Sequence, residues 1–427
     1  MTTFGPIALI LLFFIPMFFG VPIGYALGTC VLVVCLGSTF LTPETLVQTF
    51  FTANDSFPFL AIPFFILAGD IMLKGGLSTR IVGLARAFVG NITGSLGIIT
   101  VLACMIFAAI SGSGPATVAA IGGLMIPEMV KDGYDKGYAC ALSATAGAMG
   151  PIIPPSIMFI IYGVMAGVSV TDLFMGGILP GVIMALCLSV FVYFTAKKNG
   201  FGSNSGKLPW KERGHLFAES IWALFVPVII LGGIYSGLVT PTEAGVLACV
   251  YALVVALLVY KDLKIKDLPA IFKSSCRTTG YCMVFVGAAT VLGKILTLQH
   301  IPAQLADFIY GISTNPIVIL LLLNIVFLFI GCFMDPTSAI IIFGPIVVPI
   351  IVGLGINPIH FGVVMVMNVV IGMTTPPVGI NMFVASGVGK IKPESMFKWL
   401  YPMIVVLIIA LMITTYVPQL SLLFIKG

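Results

Sequence analysis

The chain is a succession of long apolar runs divided by short polar segments. Runs such as "YALVVALLVY" (251–260) and "IVILLLLNIVFLFI" (317–330) are continuous. They lack the alternation, in segments of ~10 residues, that marks a membrane β-barrel strand. They read as helices that cross or enter a bilayer, a full crossing needing about 20 residues. Runs at about 4–36 and 57–73 predict two spans, separated by a polar stretch without basic residues. "LSTRIVGLARAFVG" (77–90) has the mixed pattern of an interfacial helix. Apolar arms on either side of "SGSGP" (111–115) are each about 16 residues or shorter, too short for a comfortable crossing. The unit at about 95–130 therefore predicts a re-entrant hairpin with its tip at Ser111–Pro115. An interrupted span at about 137–167 and a full span at 172–196 complete a first half, 1–196. A polar linker rich in Gly, Ser and Lys occupies 197–216. The second half, 217–427, predicts spans at about 217–235, 242–260 and 268–298 and a short segment near 300–314. A second hairpin at about 316–353 follows, with "CFMDPTS" (332–338) at its tip, then an interrupted span at about 359–387 and a last span at about 394–418.

The two interruptions are "GPIIPPS" (150–156) and "GMTTPPV" (372–378). Pro115 and Thr117 align with Pro336 and Ser338. With a one-residue gap, Pro127 aligns with Pro349, Gly150 with Gly372, and Pro154-Pro155 with Pro376-Pro377. Order, spacing and element type agree, so the halves read as a repeat with one extra span in the second. Charge gives the orientation. With a cytoplasmic N-terminus and both hairpins re-entrant, 18 of the 20 Lys and Arg fall on the cytoplasmic side, leaving Lys294 and Lys426. The first hairpin then enters from the cytoplasm and the second from the opposite side, which makes the repeat inverted, a plan common among secondary transporters.

Composition agrees. The chain of 427 residues is 59% hydrophobic and 8% charged, and soluble domains carry about a quarter charged residues. Mean hydropathy is +1.19. The net charge of +5 lies in clusters between spans and is a topology signal, not a nucleic-acid footprint. "MTTFGPIALILLFF" has no basic n-region or cleavage pattern and reads as a retained span. The nine cysteines form no CxxC pair and read as small buried hydrophobes; His215, His300 and His360 are far apart in sequence. No Walker-type "GxxxxGK[ST]" occurs, so no ATPase, organic cofactor or transition-metal site is expected.

The breaks carry the chemistry. A helix interrupted in hydrocarbon leaves backbone groups whose exposure costs several kcal/mol each, so it persists only where protein, water or a ligand satisfies them. Freed carbonyls suit a hard cation, and the helix N-termini beyond the break suit a carboxylate. The first constellation holds Ser111, Ser113, Thr145, Gly147, Gly150 and Ser156; the second holds Asp335, Thr337, Ser338, Asn368, Thr374, Thr375 and Asn381. Asp335 lies about 20 residues from each end of its hairpin, where an acid costs roughly 3 kcal/mol. Ligand contact and an N-cap in "DPTS" both account for it. Asp70, Glu128, Asp172 and Glu243 lie at span ends and read as solvated or capping; Trp210, Trp222 and Trp399 suit the interfacial belt. A channel predicts a continuous polar stripe, and an intramembrane enzyme predicts paired acids or His ligands at depth. The polar residues cluster at the breaks instead.

"SGSGPATVAAIGGLMIPEM", "GPIIPPS", "LVTPTEAG" and "MDPTSAIIIFGPIVVPI" followed by "GINPIHFGVVMVMNVVIGMTTPPVG" together resemble the large membrane subunit of tripartite ATP-independent periplasmic (TRAP) transporters, over essentially the whole chain. The resemblance implies an all-α elevator-type transporter in the bacterial inner membrane, with two hairpins and two broken helices sliding against a scaffold. It implies import of an organic acid of the C4-dicarboxylate or sialic acid class, coupled to Na⁺. The partners implied are a periplasmic substrate-binding protein and a small four-helix membrane subunit, expected as a separate chain. Two Na⁺ sites are implied, one around Gly112, Gly114, Gly147, Gly150 and Pro151, the other around Thr337, Ser338, Gly372, Met373, Thr374 and Thr375. Substrate is implied near Ser111, Ser113, Ser156, Asp335 and Asn381. Residue chemistry alone leaves H⁺ open as the coupling ion, through Asp335.

Overall fold

A computed structural model describes residues 23–37, 42–89, 92–201 and 209–425, with isolated positions before residue 23. The start of the first predicted span, linker positions 202–208, the side chain of Trp210 and Lys426 lie outside the described residues. The described residues are mostly helical, with no strand among them. Eight of the helices are long and apolar enough to cross a membrane. The chain is a multi-pass α-helical membrane protein.

Helix α1 (Ile23–Gly37) leads into α2 (Pro43–Asn54). The polar stretch before the second span is thus mostly helix. Thr42 caps it by accepting from Thr45 N, with Pro43 and Glu44 in the first turn. The second span is α3 (Ala61–Lys74), entered through a 3₁₀ turn at Phe57–Leu60, and α4 (Leu77–Val89) is the amphipathic helix that follows. The first hairpin is α5 (Ser95–Ser111) against α6 (Gly114–Thr117), a π-helical turn (Val118–Gly122) and α7 (Gly123–Lys131). The interrupted span is α8 (Lys136–Gly147) and α9 (Ile157–Ala166), followed by α10 (Val170–Asn199).

Helix α11 (Trp210–Tyr235) starts inside the polar linker. Next come α12 (Pro241–Val254), opened by a Thr240–Glu243 capping box, α13 (Leu268–Leu298) and α14 (Ile301–Ile312). The second hairpin is α15 (Pro316–Phe333) and α16 (Pro336–Gly353). Each arm has 18 residues, a rise of about 27 Å, longer than the sequence pattern suggested. The second interrupted span is α17 (Pro358–Gly372) and α18 (Ile380–Gly389); α19 (Phe397–Tyr416) and α20 (Gln419–Leu422) end the fold.

The packing crosses between the halves. Helix α8 packs on α18, and α9 packs on α17, so each interrupted span pairs its two pieces with pieces of the other. Helix α18 also lies on α6 and α7 of the first hairpin, and α9 lies on α16 of the second. Helix α8 packs on α19 as α17 packs on α10. Every one of these contacts has its counterpart under exchange of the halves. Around this group stand α1, α2, α3, α4, α11, α12 and α13, joined by α12 on α3, α11 on α4 and α13 on α1, α2 and α3. Helices α13 and α3 meet the hairpins, through α16 and α5 respectively.

Candidate functional site

The first break lies inside the protein, as the cost of freed backbone requires. Residues 137–157, which include the whole first break, are all buried. The second break is more open: Thr374 is buried, Thr375 and Pro376 are half-buried, and Pro377 and Val378 are exposed. Pro154–Pro155 and Pro376–Pro377 are both cis.

At the first junction the hairpin tip meets the break backbone to backbone. Gly112 has φ of 58°, and a Cβ there would stand 2.7 Å from the Pro155 carbonyl oxygen. A Cβ on Gly150 would stand 2.6 Å from the Ser113 carbonyl oxygen, and one on Gly147 would meet the Val118 side chain. Gly112, Gly114, Gly147 and Gly150 are thus brought together, with Pro151 following Gly150 in the chain, and glycine is what allows the approach. The hydroxyls mostly brace the tip. Ser111 Oγ lies 2.9 Å from Thr117 Oγ1, and Thr117 Oγ1 donates to the Ser113 carbonyl at 2.8 Å. Ser156 caps α9 by accepting from Phe159 N at 3.3 Å, and donates its own proton to the Pro151 carbonyl. Thr145 Oγ1 donates to the Ala141 carbonyl, 2.9 Å away in its own helix. Ser113 is half-buried at the tip.

Asn381 belongs to the second interrupted span, yet its carboxamide reaches the first junction. A Cβ on Gly114 would stand 3.0 Å from Asn381 Oδ1, and Asn381 Nδ2 donates to the Ala144 carbonyl at 3.4 Å. The residue is fully buried, and Oδ1 has no hydrogen-bond partner. A buried amide oxygen left unpaired costs about 1–3 kcal/mol. The sequence grouped Asn381 with the second break; the crossed packing of α18 on α6 and α8 carries it to the first.

At the second junction Gly331 of α15 lies against α17. A Cβ on Gly331 would stand 3.0 Å from Gly372 Cα and 2.8 Å from the Val369 carbonyl oxygen. Val378 N donates to the Cys332 carbonyl at 3.2 Å, tying the break to the tip. Asp335 caps α16: its Oδ1 accepts from Thr337 N at 2.9 Å and Ser338 N at 3.4 Å, and Ser338 Oγ donates to its Oδ2. The carboxylate is half-buried, so it keeps an open side. Thr337 Oγ1 donates to Met158 Sδ of α9 at 3.7 Å, a second contact across the halves. Thr374 and Thr375 both donate through Oγ1 to the Ile371 carbonyl, at 2.7 and 3.1 Å, which also accepts from Thr374 N; Met373 O accepts from Asn381 N at 3.0 Å.

Two residues here carry only a weak sequence signal. Asn324 is a lone polar side chain in a leucine-rich run; it accepts from Asn368 Nδ2 at 2.7 Å and donates to Thr415 Oγ1 at 3.1 Å. Gly331 is one glycine among 47. His360, at the start of α17, is buried between Ser421 Oγ (2.6 Å) and the Thr415 carbonyl (3.2 Å). Among the span-end acids, Glu243 caps, Glu128 pairs with Arg86 and Asp70 accepts from Ser275 Oγ at 2.7 Å. No cluster of three or more His, Cys, Asp or Glu that could hold a metal occurs among the described residues.

Fold and junctions define the class: a polytopic α-helical membrane protein with two helix breaks, each set against a hairpin tip. The chain belongs to the family of tripartite ATP-independent periplasmic transporters, DctM component, which matches residues 10–420. Its members are transporter permease subunits, not enzymes. The chain is 44% identical to the isethionate TRAP transporter permease protein DctMQ of Oleidesulfovibrio alaskensis, over 95% of its own length and 64% of that protein. It is 41% identical to the C4-dicarboxylate TRAP transporter large permease protein DctM of Pseudomonas aeruginosa, over 87% of each chain. In fold it is similar to MtrF of Neisseria gonorrhoeae, with a TM-score of 0.60 and 14% identity over 90% of this chain and 84% of that one.

Proposed function

We propose that this chain imports a small organic acid across the bacterial inner membrane, coupled to Na⁺, by an elevator motion of the hairpins and interrupted spans against the outer helices. The observation that carries the reading is the crossed packing of α8 on α18 and of α9 on α17, which makes the two junctions halves of one body. Exchange of the halves preserves the contacts, as an inverted repeat requires. Both hairpins are re-entrant in this reading, and the N-terminus is cytoplasmic. One Na⁺ site lies at Gly112, Gly114, Gly147, Gly150 and Pro151. It is supported by the unpaired Asn381 Oδ1, a neutral oxygen of the kind a hard cation takes. The other lies at Thr337, Ser338, Gly372, Met373, Thr374 and Thr375. Substrate lies between the tips, within reach of Ser113 and the open side of Asp335; Ser111 and Ser156 hold the tip and break in shape. Of the two substrate classes, C4-dicarboxylate and sialic acid, the first draws support from the name of the Pseudomonas relative, and the isethionate relative extends the reading to small sulfonates. A periplasmic binding protein delivers the substrate, and a small four-helix membrane subunit completes the scaffold.

The test is uptake of succinate and of isethionate by proteoliposomes holding the complete three-part system, under an imposed Na⁺ gradient and, separately, a pH gradient. Uptake that follows Na⁺ and ignores pH supports the reading. Uptake driven by the pH gradient alone transfers the coupling to H⁺ and points to Asp335.

A further inference from the structure

A cavity with a largely apolar wall and a polar edge of Ser56, four threonines and Lys294 lies away from both breaks. It has a volume of about 440 Å³ and opens between outer helices and the hairpin group. Its walls are α2, the start of α3's 3₁₀ turn, the last third of α13, the end of α9 and the middle of α16. An adjoining cavity of about 430 Å³ shares Ser56 and Val164 with it. Along α13 the lining positions Val286, Thr290, Gly293, Lys294 and Thr297 recur every three or four residues, so one helix face forms the wall. That end of α13 is far from Lys261, Lys264, Lys266, Lys273 and Arg277, which cluster at its start. In the orientation above, it is the periplasmic side.

Lys294 is the charge in this cavity. Its Nζ donates to Thr49 Oγ1 at 3.1 Å, which uses one of its three N–H groups. No carboxylate of a described residue pairs with it, and none of the described residues lining the cavity is acidic. Thr49 accepts from the lysine, so its own hydroxyl proton stays available as a donor. Thr52, Thr290 and Thr297 give their protons to carbonyls of their own helices, which leaves Lys294 and Thr49 as the donors to an anion here. A concave site with one cation and no anion concentrates anions. The cavity also leads inward. Ile341 in its wall is one helical turn beyond Thr337, and Pro345 one turn further.

The geometry points to this cavity as an outer subsite for the substrate, where Lys294 and Thr49 hold the carboxylate or sulfonate of a small organic acid before it reaches the hairpin tips. The inference rests on the transport reading above and adds a residue outside both junctions. It also places the one cation on the outer helices, so the anion is attracted to the seam without a positive charge being carried through the membrane.

The experiment uses the complete three-part system in proteoliposomes, with initial uptake rates measured against the concentration of succinate-loaded and isethionate-loaded binding protein. Lys294→Gln lowers the rate-to-KM ratio by about tenfold or more, the size of one charge-assisted hydrogen bond. Lys294→Glu lowers it further, and Lys294→Arg restores most of it. Docking of ligand-free binding protein to the same vesicles, measured by co-flotation, is unchanged in all three. If the wild type takes up neither acid, the transport reading fails and not this inference alone. If the wild type transports and Lys294→Gln matches it, Lys294 only reaches for the interface and the subsite is wrong. A Lys294→Arg variant as weak as Lys294→Gln, or a parallel loss of docking, overturns the subsite as well.

Discussion

Asn381 and Gly114 come from opposite halves of the chain and meet at one point. A Cβ built on Gly114 would stand 3.0 Å from Asn381 Oδ1, an oxygen that is buried and has no donor. An unpaired buried acceptor destabilises the fold that carries it unless a ligand completes it. Asn381→Ala therefore leaves the Na⁺-free protein about as stable as the wild type, because the lost packing is offset by removal of the unsatisfied oxygen. On the Na⁺ site proposed above, Na⁺ should raise the melting temperature of the wild type by binding the native state, and the same substitution should abolish that rise. Thermal unfolding in Na⁺ against choline checks this. Equal Na⁺ stabilisation in both proteins removes Asn381 from the ion site.

Gly150 presses on the backbone of the first tip, with 2.6 Å between a would-be Cβ and the Ser113 carbonyl oxygen. Backbone cannot move aside as a flexible side chain can. Gly150→Ala should cost about 1–3 kcal/mol, the usual penalty of overpacking, and should widen the junction enough to lose transport. Gly123→Ala is the control, since nothing lies within 4 Å of its Cβ position. Melting temperature and uptake, measured on both, should separate them; equal behaviour would mean that tip and break are not held in register.

Much of the fold was legible in the sequence because hydrophobic runs and Pro-Pro pairs are local signals. The interrupted spans were expected at about 137–167 and 359–387, and the helices run 136–147 with 157–166 and 358–372 with 380–389. Helix α2 was missed because its composition is polar, although "TPE" is a helix-start pattern. The position of Asn381 could not be read either. It depends on α18 crossing to the first hairpin, and no local pattern in α18 encodes its neighbour. The Gly331–Gly372 approach is hidden for the same reason: a glycine inside an apolar helix looks alike whether it faces lipid or another backbone.

Asn324 and Asn368 test how a buried polar pair is shared. Asn368 Nδ2 donates to Asn324 Oδ1 at 2.7 Å, and Asn324 Nδ2 donates to Thr415 Oγ1 at 3.1 Å. Asn368→Leu strands the Asn324 oxygen, at about 1–3 kcal/mol, and removes Asn368 Oδ1, which is buried without a partner, so the net loss should fall at the low end of that range. Adding Asn324→Leu should recover part of that loss, because both polar groups are then gone. Thermal melts of the two single variants and the double variant close the cycle. A double variant whose loss is the simple sum of the singles would show that the two side chains do not act as a pair.

Asp335 has two roles that one pair of substitutions can divide. Its Oδ1 caps α16 through Thr337 N and Ser338 N, and its half-buried carboxylate carries the charge nearest the second tip. Asparagine is about as good an N-cap as aspartate, so Asp335→Asn keeps the backbone bonds and removes only the charge. Alanine removes both and should cost a further ~0.5–2 kcal/mol of stability. The expected pattern is wild-type melting with uptake reduced by at least about tenfold, ~1.4 kcal/mol of lost interaction, for Asp335→Asn. Asp335→Ala should show lower melting as well as lost uptake. With the amide oxygen kept on Thr337 N and Ser338 N, the amide nitrogen takes the place of Oδ2 and donates to Ser338 Oγ, so that contact reverses direction and the cap is kept. Full uptake by Asp335→Asn would leave the residue as a helix cap and move the search for the substrate contact to Ser113.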